Sequence, residues 1–399
     1  MGVDDLDGEP VDIIEFGGSG ARPKPPWRRW LPVAAVVVVA AVAVVAAVTR
    51  GTGGSPSATS RPSSTVPEST LPAQAGPAAS VDAVATPSPL VSQAGRPLLG
   101  VTAGWELLGQ GSGGVVRVEF ARGRITSTAV PPILSGGPVS FVAGPDWAMV
   151  RPLDLVPGYL VPDGQPARPL YGPLARTGPA VPGPDRNTVW VPLAGDDQTL
   201  ILVKSDGEPA GPRLTVPPGV VSTVAPDGTG YLVFAGTGGV YAARPDGPHR
   251  ITTGALIAAG PTRWLTWECD DRYRCAAVVI DRATGARRTV DIPLAQQTTV
   301  RGVISPDGSR AALIESGPNG SVTVGLYDLA SGSTSYGVQV SPALSDPDSM
   351  VWSPDSRWLF IAGDDGALYP VDPATGEVHN LGVVLPHLTR LAVRPAPAG

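Results

Sequence analysis

With two cysteines, three histidines and two lysines in 399 residues, the chain has little material for several kinds of chemistry. His249, His379 and His387 stand far apart, with no HExxH, paired-histidine or triad spacing. Neither Lys24 nor Lys204 follows a glycine-rich run, which excludes a Walker phosphate loop. The other cationic side chains are arginines, and acids outnumber bases by 35 to 29, so the basic footprint that nucleic acid requires is missing. Cys269 and Cys275 could supply only two of the four ligands of a zinc site. Asp196-Asp197 and Gly363-Asp364-Asp365-Gly366 lack the alternating acids and distal glutamate of a calcium loop and read as tight turns. No cofactor is expected.

Long hydrophobic runs are absent except for one. Residues 31–48 are uncharged and dominated by Val and Ala. At 1.5 Å per residue, 18 residues give about 27 Å, enough for a hydrocarbon core of roughly 30 Å when Trp30 and Thr49 sit at the interfaces. Arg22, Lys24, Arg28 and Arg29 crowd its N-terminal side and Trp27 and Trp30 offer anchors, so the positive-inside rule places residues 1–29 in the cytoplasm. A cleavable signal peptide is the rival, with small residues at Ala46-Ala47-Val48. The length of the run and the 30 residues before it favour an uncleaved anchor over 30–49 in a cell membrane, with the C-terminal part extracytoplasmic. The acidic tail carries one apolar knot at Val11, Ile13, Ile14 and Phe16. Residues 50–96 are rich in Ser, Thr, Pro, Ala and Gly with almost no aromatics, the composition of a disordered linker.

Glycine and proline are abundant, at 50 and 46, and from residue 97 to 395 they are periodic. Gly123, Gly164, Gly207, Gly247, Gly285, Gly332 and Gly376 follow one another at steps of 38 to 47 residues. Pro145, Pro184, Pro226, Pro261, Pro306, Pro354 and Pro395 interleave with them at steps of 35 to 48. A period near 40, with strand patterning between the marks, predicts an all-β, seven-bladed β-propeller; six or eight blades are the alternatives. Gly123 has no proline turn upstream and Pro395 no strands downstream. The phase therefore predicts that Leu388 to Val393 form the innermost strand of a blade whose other three strands lie at Trp105 to Thr128, closing the ring with both chain ends.

Ser305-Pro306-Asp307-Gly308-Ser309-Arg310-Ala311-Ala312-Leu313 and Ser353-Pro354-Asp355-Ser356-Arg357-Trp358-Leu359-Phe360 resemble the WD-repeat-like units of TolB-type propellers, with related units in the propellers of prolyl oligopeptidases and the tricorn protease. The resemblance extends over two or three blades. It implies a propeller that gates or binds, any peptidase chemistry belonging to a separate domain for which this chain has no room. Membrane-tethered actinobacterial proteins with a lone propeller are similar in layout, and the resemblance implies no defined activity for them.

Candidate functional residues are few. Cys269 and Cys275 flank a polar loop between two strands and are expected to form a disulfide, with free thiols as the alternative. Arg301 and Arg390 fall at the mouths of two innermost strands, and Asp346 and Asp348 lie on the blade between them; together they could form a charged channel rim that recognises an anionic group. No convergent set of carboxylates, His or Asn marks a hydrolase. The expectation is a non-catalytic platform for a protein, peptide or glycan, with no nucleic-acid partner. A lactonase- or glycosidase-type propeller enzyme and an envelope sensor signalling through the N-terminal tail are the alternatives.

Overall fold

The computed structural model describes residues 88–89 and 95–396, apart from short breaks at 112, 132–138, 154–156, 218–222, 237, 245, 293–301, 317–320 and 344–346. Residues 1–87 lie outside this set, and with them the expected cytoplasmic tail, the membrane-spanning run and most of the linker. No helix among the described residues is long and apolar enough to cross a membrane.

The described strands fall into seven antiparallel units, numbered here as blades. Blade 1 has Trp105–Gly111, Gly114–Glu119 and Arg124–Ala129, with the terminal strand Leu388–Pro395 on its inner side and Ser88–Pro89 as a fifth, outermost strand. Blade 2 has Val139–Ala143, Trp147–Pro152, Tyr159–Pro162 and Arg168–Pro169. Blade 3 has Val181–Pro182, Thr188–Leu193, Asp196–Lys204 and Pro209–Thr215. Blade 4 has Thr223–Pro226, Leu232–Gly236, Gly239–Arg244 and Gly247–Thr252. Blade 5 has Ala255–Ala259, Arg263–Cys269, Cys275–Asp281 and Arg287–Val290. Blade 6 has Gly302–Ile304, Arg310–Ser316, Val322–Asp328 and Thr334–Val338. Blade 7 has Met350–Trp352, Leu359–Ala362 and Leu368–Val371, its fourth strand reduced to one bridge, Val371 to Val378.

The innermost strands neighbour one another in order. From Leu388–Pro395 the path runs to Val139–Ala143, Val181–Pro182 and Thr223–Pro226; Ala255–Ala259 packs beside blade 4, then come Gly302–Ile304, Met350–Trp352 and Leu388–Pro395 again. Ala258 and Ala259 even pair in parallel with Gly302 and Val303, joining blades 5 and 6 at their inner edges. The result is a β-propeller, and its closure is visible in the packing. Seven buried apolar clusters lie at seven blade-to-blade junctions, including one between blades 7 and 1. An open row of seven blades would have only six.

Period-two geometry explains why the strands are apolar on both faces. Leu107 joins the cluster toward blade 7 while Leu108 joins that toward blade 2. Likewise Ala311 and Leu313 face blade 5, and Ala312 and Ile314 face blade 7. Strands such as these, in the middle of a blade, are sandwiched between two neighbouring blades and read as nearly continuous hydrophobic runs, whereas outer strands such as Arg287–Val290 and Gly247–Thr252 are largely exposed.

The periodic marks have physical causes. In blades 5, 6 and 7 the marker glycine donates its N–H to the carbonyl of an aspartate four residues earlier: Gly285 to Asp281 at 2.9 Å, Gly332 to Asp328 at 2.8 Å and Gly376 to Asp372 at 2.7 Å. All three glycines have φ of 72 to 76°, which a side chain would disfavour. In the two proline turns of the resembling units, Ser305 and Ser353 accept the N–H of Arg310 and Trp358 on Oγ and donate the hydroxyl to Asp307 and Asp355.

The terminal strand pairs along its length with Trp105–Gly111, from Trp105 opposite Pro395 to Gly111 opposite Leu388. The pairing of Ser88 with Ser127 and Pro89 with Thr126 begins within the span whose composition reads as linker.

Candidate functional site

Of the expected rim residues, Arg301 and Asp346 lie outside the described residues. Arg390 and Asp348 are brought together across the junction of blades 7 and 1. Arg390 sits on the terminal strand opposite Gln110, and Asp348 occupies the short 3-10 turn Pro347–Ser349 that leads into blade 7's inner strand. Arg390 Nε lies 3.7 Å from Asp348 Oδ2, the guanidinium side chain 8% exposed and the carboxylate 55%. Arg390 Nε has no hydrogen-bond acceptor among the described residues. Beside it, Thr389 donates its hydroxyl to the Gln110 side-chain oxygen at 3.1 Å, and the Gln110 amide donates to Gly111 C=O at 2.9 Å. A buried guanidinium with a donor to spare is suited to an anionic group.

Cys269 and Cys275 form a disulfide. They face each other in the last register pair of the blade 5 hairpin. The loop they close holds Tyr273 at 91% exposure with a left-handed backbone, φ 59°. Asp270 organises it by accepting the Arg272 and Arg274 N–H groups, each at 2.9 Å. The backbone N–H of Arg274, then its guanidinium, hold the Asp270 carboxyl below the usual carboxylate range.

Sequence reading missed a second charged cluster, which is the most buried among the described residues. Arg394, on the terminal strand and 2% exposed, donates to Glu106 Oε2 at 3.0 Å and to both Asp163 oxygens at 2.8 and 2.6 Å. It also reaches the Gly144 and Trp147 carbonyls at 3.3 Å. Arg117 grips Glu106 with two bonds, at 2.7 and 2.6 Å, and reaches Asp163 at 3.1 Å. Glu119 accepts from Arg124 at 2.7 Å. Burial disfavours the Arg117 charge, but the hydrogen bond to Glu106 and the Glu106, Asp163 and Glu119 charges outweigh it and raise its pKa. The cluster borders a cleft of about 120 Å³ between blades 1 and 2. Each guanidinium is met by carboxylates, so the arrangement locks blade 1 to blade 2. Its sequence signal was a lone Glu106 in the strand Trp105–Gly111 and, in the terminal strand, Arg394 as the second arginine after Arg390.

Arg151 is buried in blade 2 and donates to the Arg176, Thr177 and Pro179 carbonyls. Burial pushes its pKa down to about 10, which leaves it charged at neutral pH. The histidines take peripheral places. His249 Nε2 lies 3.0 Å from Asp246, His379 packs edge-on to Trp358, and the His387 ring lies over Gly366. No group of three or more His, Cys, Asp or Glu suited to a metal ion occurs among the described residues.

No protein-family model matches the chain, and no curated protein matches it. Among solved structures it is similar to the periplasmic gluconolactonase of Pseudomonas aeruginosa, at 17% identity and a TM-score of 0.44, covering 73% of this chain and 99% of that one. It is also similar to a putative 6-phosphogluconolactonase from Bacteroides uniformis, at 11% identity and a TM-score of 0.46, with the same coverage of 73% and 99%. The WD40 domain of Toxoplasma gondii coronin matches at 11% identity and a TM-score of 0.41, covering 63% of this chain and 69% of that one. At such identities the likeness concerns the fold, which rests here on the chain's own strand order and packing.

Proposed function

We propose that this chain is a single-pass membrane protein that displays a seven-bladed, non-catalytic propeller outside the cytoplasm as a platform for a protein, peptide or glycan. The anchor reading rests on the apolar run at residues 31–48 and the cations on its N-terminal side. The observation that carries the binding reading is Arg390, a nearly buried guanidinium beside Asp348 at the inner edge of the ring, whose Nε has no hydrogen-bond acceptor among the described residues. Such a group, at the junction where the chain ends meet, would fix the orientation of a carboxylate, sulfate or phosphate on the partner.

The test is crosslinking of the intact protein in its native membrane, with and without Arg390→Ala. Loss of one captured species in the variant, with the melt unchanged, supports the reading; identical capture in both removes the rim from it. Turnover of lactones or glycosides by the purified wild-type chain would overturn the non-catalytic part.

A further inference from the structure

The turns at one end of blades 2 and 3 border a polar cleft of about 710 Å³. Asp146, Trp147, Gln165 and Arg168 line it from blade 2, Asn187 and Ser205 from blade 3. Asn187 is its fixed point. An indole nitrogen can only donate, so the Asn187 atom 3.0 Å from Trp147 Nε1 is the side-chain oxygen, and the same oxygen accepts the Ser205 hydroxyl at 3.0 Å. The backbone is held as well: Asn187 N–H donates to Asp185 at 3.2 Å, and its carbonyl accepts the Ser205 N–H at 3.2 Å. The amide NH2 is thereby turned away from both side-chain partners, and no acceptor among the described residues takes its protons. Asp146, Gln165 and Arg168 are exposed, and no side chain among the described residues pairs with theirs. Asp146 can only accept, Arg168 can only donate, and Gln165 does both. The turn that carries Asp146 is itself braced: Asp146 C=O accepts the Asp163 N–H at 2.8 Å, and Arg394 reaches the Gly144 and Trp147 carbonyls on either side.

We propose that this cleft binds a neutral sugar unit of a glycan, Asp146 accepting from its hydroxyls while Asn187 and Arg168 donate to them. One carboxylate and one guanidinium leave the lining without net charge, and a hydroxyl both donates and accepts, as such a lining requires. Pro145, Leu160 and Pro162 add apolar contact for the C–H faces of a sugar ring. The turns use their own backbone: the N–H groups of Gly144, Gln165, Gly183 and Lys204 donate to the carbonyls of Trp147, Pro162, Thr188 and Glu208. Recognition is therefore left to side chains, which suits a sugar better than an extended peptide seeking a strand edge. Tyr171, 71% exposed, stands near the outer margin, its carbonyl 3.5 Å from where a side chain on Gly207, in the turn after Ser205, would begin. Arg390 plays no part here. It lies four residues, about 13 Å of extended chain, before the Arg394 that touches the Asp146 turn, and on the blade 1 side of it.

The experiment is a saturation-transfer NMR titration of the full chain, in a sugar-free detergent, with the methyl glycosides of glucose, galactose, mannose and N-acetylglucosamine. A blocked trialanine peptide is titrated alongside. At least one glycoside is expected to bind, and Asp146→Ala and Arg168→Ala should each weaken it at least about ten-fold, the loss of a hydrogen bond to a charged group. Both side chains are exposed and unpaired among the described residues, so the thermal melt of each variant should match the native chain. Arg390→Ala should leave the affinity unchanged. Four glycosides that all fail to bind overturn the proposal, as does an affinity unchanged in either cleft variant. Sugar binding lost in Arg390→Ala places the ligand at the rim and overturns it equally. Trialanine binding in place of the sugars, sensitive to Asp146→Ala, assigns the cleft to a peptide and does the same.

Discussion

At the residue scale, single side chains join blades that are some forty residues apart in sequence. Trp147 Nε1 donates to Asn187 at 3.0 Å, Trp190 Nε1 to Gly230 C=O at 2.9 Å, and Arg263 to Gly308 C=O at 2.7 Å. Ser356 shows how such a contact is secured. It occupies the left-handed region, φ 59°, where blade 6 uses Gly308, and its hydroxyl accepts the Asp307 N–H at 3.1 Å from the neighbouring blade. The strain of about 1 kcal/mol and the bond of about 1 kcal/mol roughly offset. Ser356→Gly should therefore change stability by less than about 0.5 kcal/mol, while Ser356→Ala keeps the strain, loses the bond and should cost about 1 kcal/mol. Denaturant midpoints of the two variants measure the difference. In the core, Leu313→Ala, at a fully buried position facing blade 5, should cost about 2–5 kcal/mol by the same measurement. The apolar partners were legible in the sequence because strand alternation assigns their faces. The bridging arginines were not, since a guanidinium's reach depends on which blade lies beside it.

At the element scale, the aspartate turns give the ring a pH response. Backbone N–H and hydroxyl of Thr284 hold Asp281 below its ordinary pKa, and Asp328 is held low chiefly by the Ser331 N–H. A carboxylate lowered in the fold binds fewer protons there than in the unfolded chain. Its contribution is complete above the unfolded value of about 4 and is lost as pH falls through the lower folded value. The melting temperature should thus decline as pH is taken from about 5 toward 3, and Asp328→Asn should flatten that decline. A scan of thermal melts against pH reads both. These turns were the most legible elements, because an aspartate, a spacing of four and a glycine needing positive φ leave a written mark. Blade 7's missing outer strand left none: residues 378–385 carry valines and leucines like any strand, and only the hydrogen bonding reveals that they swing away.

At the scale of the whole molecule, closure was predictable from the phase of the repeats, and its fastening was not. The terminal strand ends in Arg394, which ties blade 1's Glu106 to blade 2's Asp163. Breaking a buried ion cluster on one side leaves charge unmatched, so Arg394→Ala should destabilise by about 3–5 kcal/mol. Glu106→Gln should cost less in this respect, because Asp163 still answers the guanidinium. Removing residues 388–399 should abolish the single cooperative transition seen by calorimetry, since two of the seven junctions lose their inner strand. Joining both ends in one blade also decides how the ring bears mechanical load. A tug arriving through Ser88 enters the blade that already holds the other terminus, so it loads the Trp105–Gly111 ladder against Leu388–Pro395 before any other blade is strained. Load arriving at Ser88 therefore meets the chain's own fastening first.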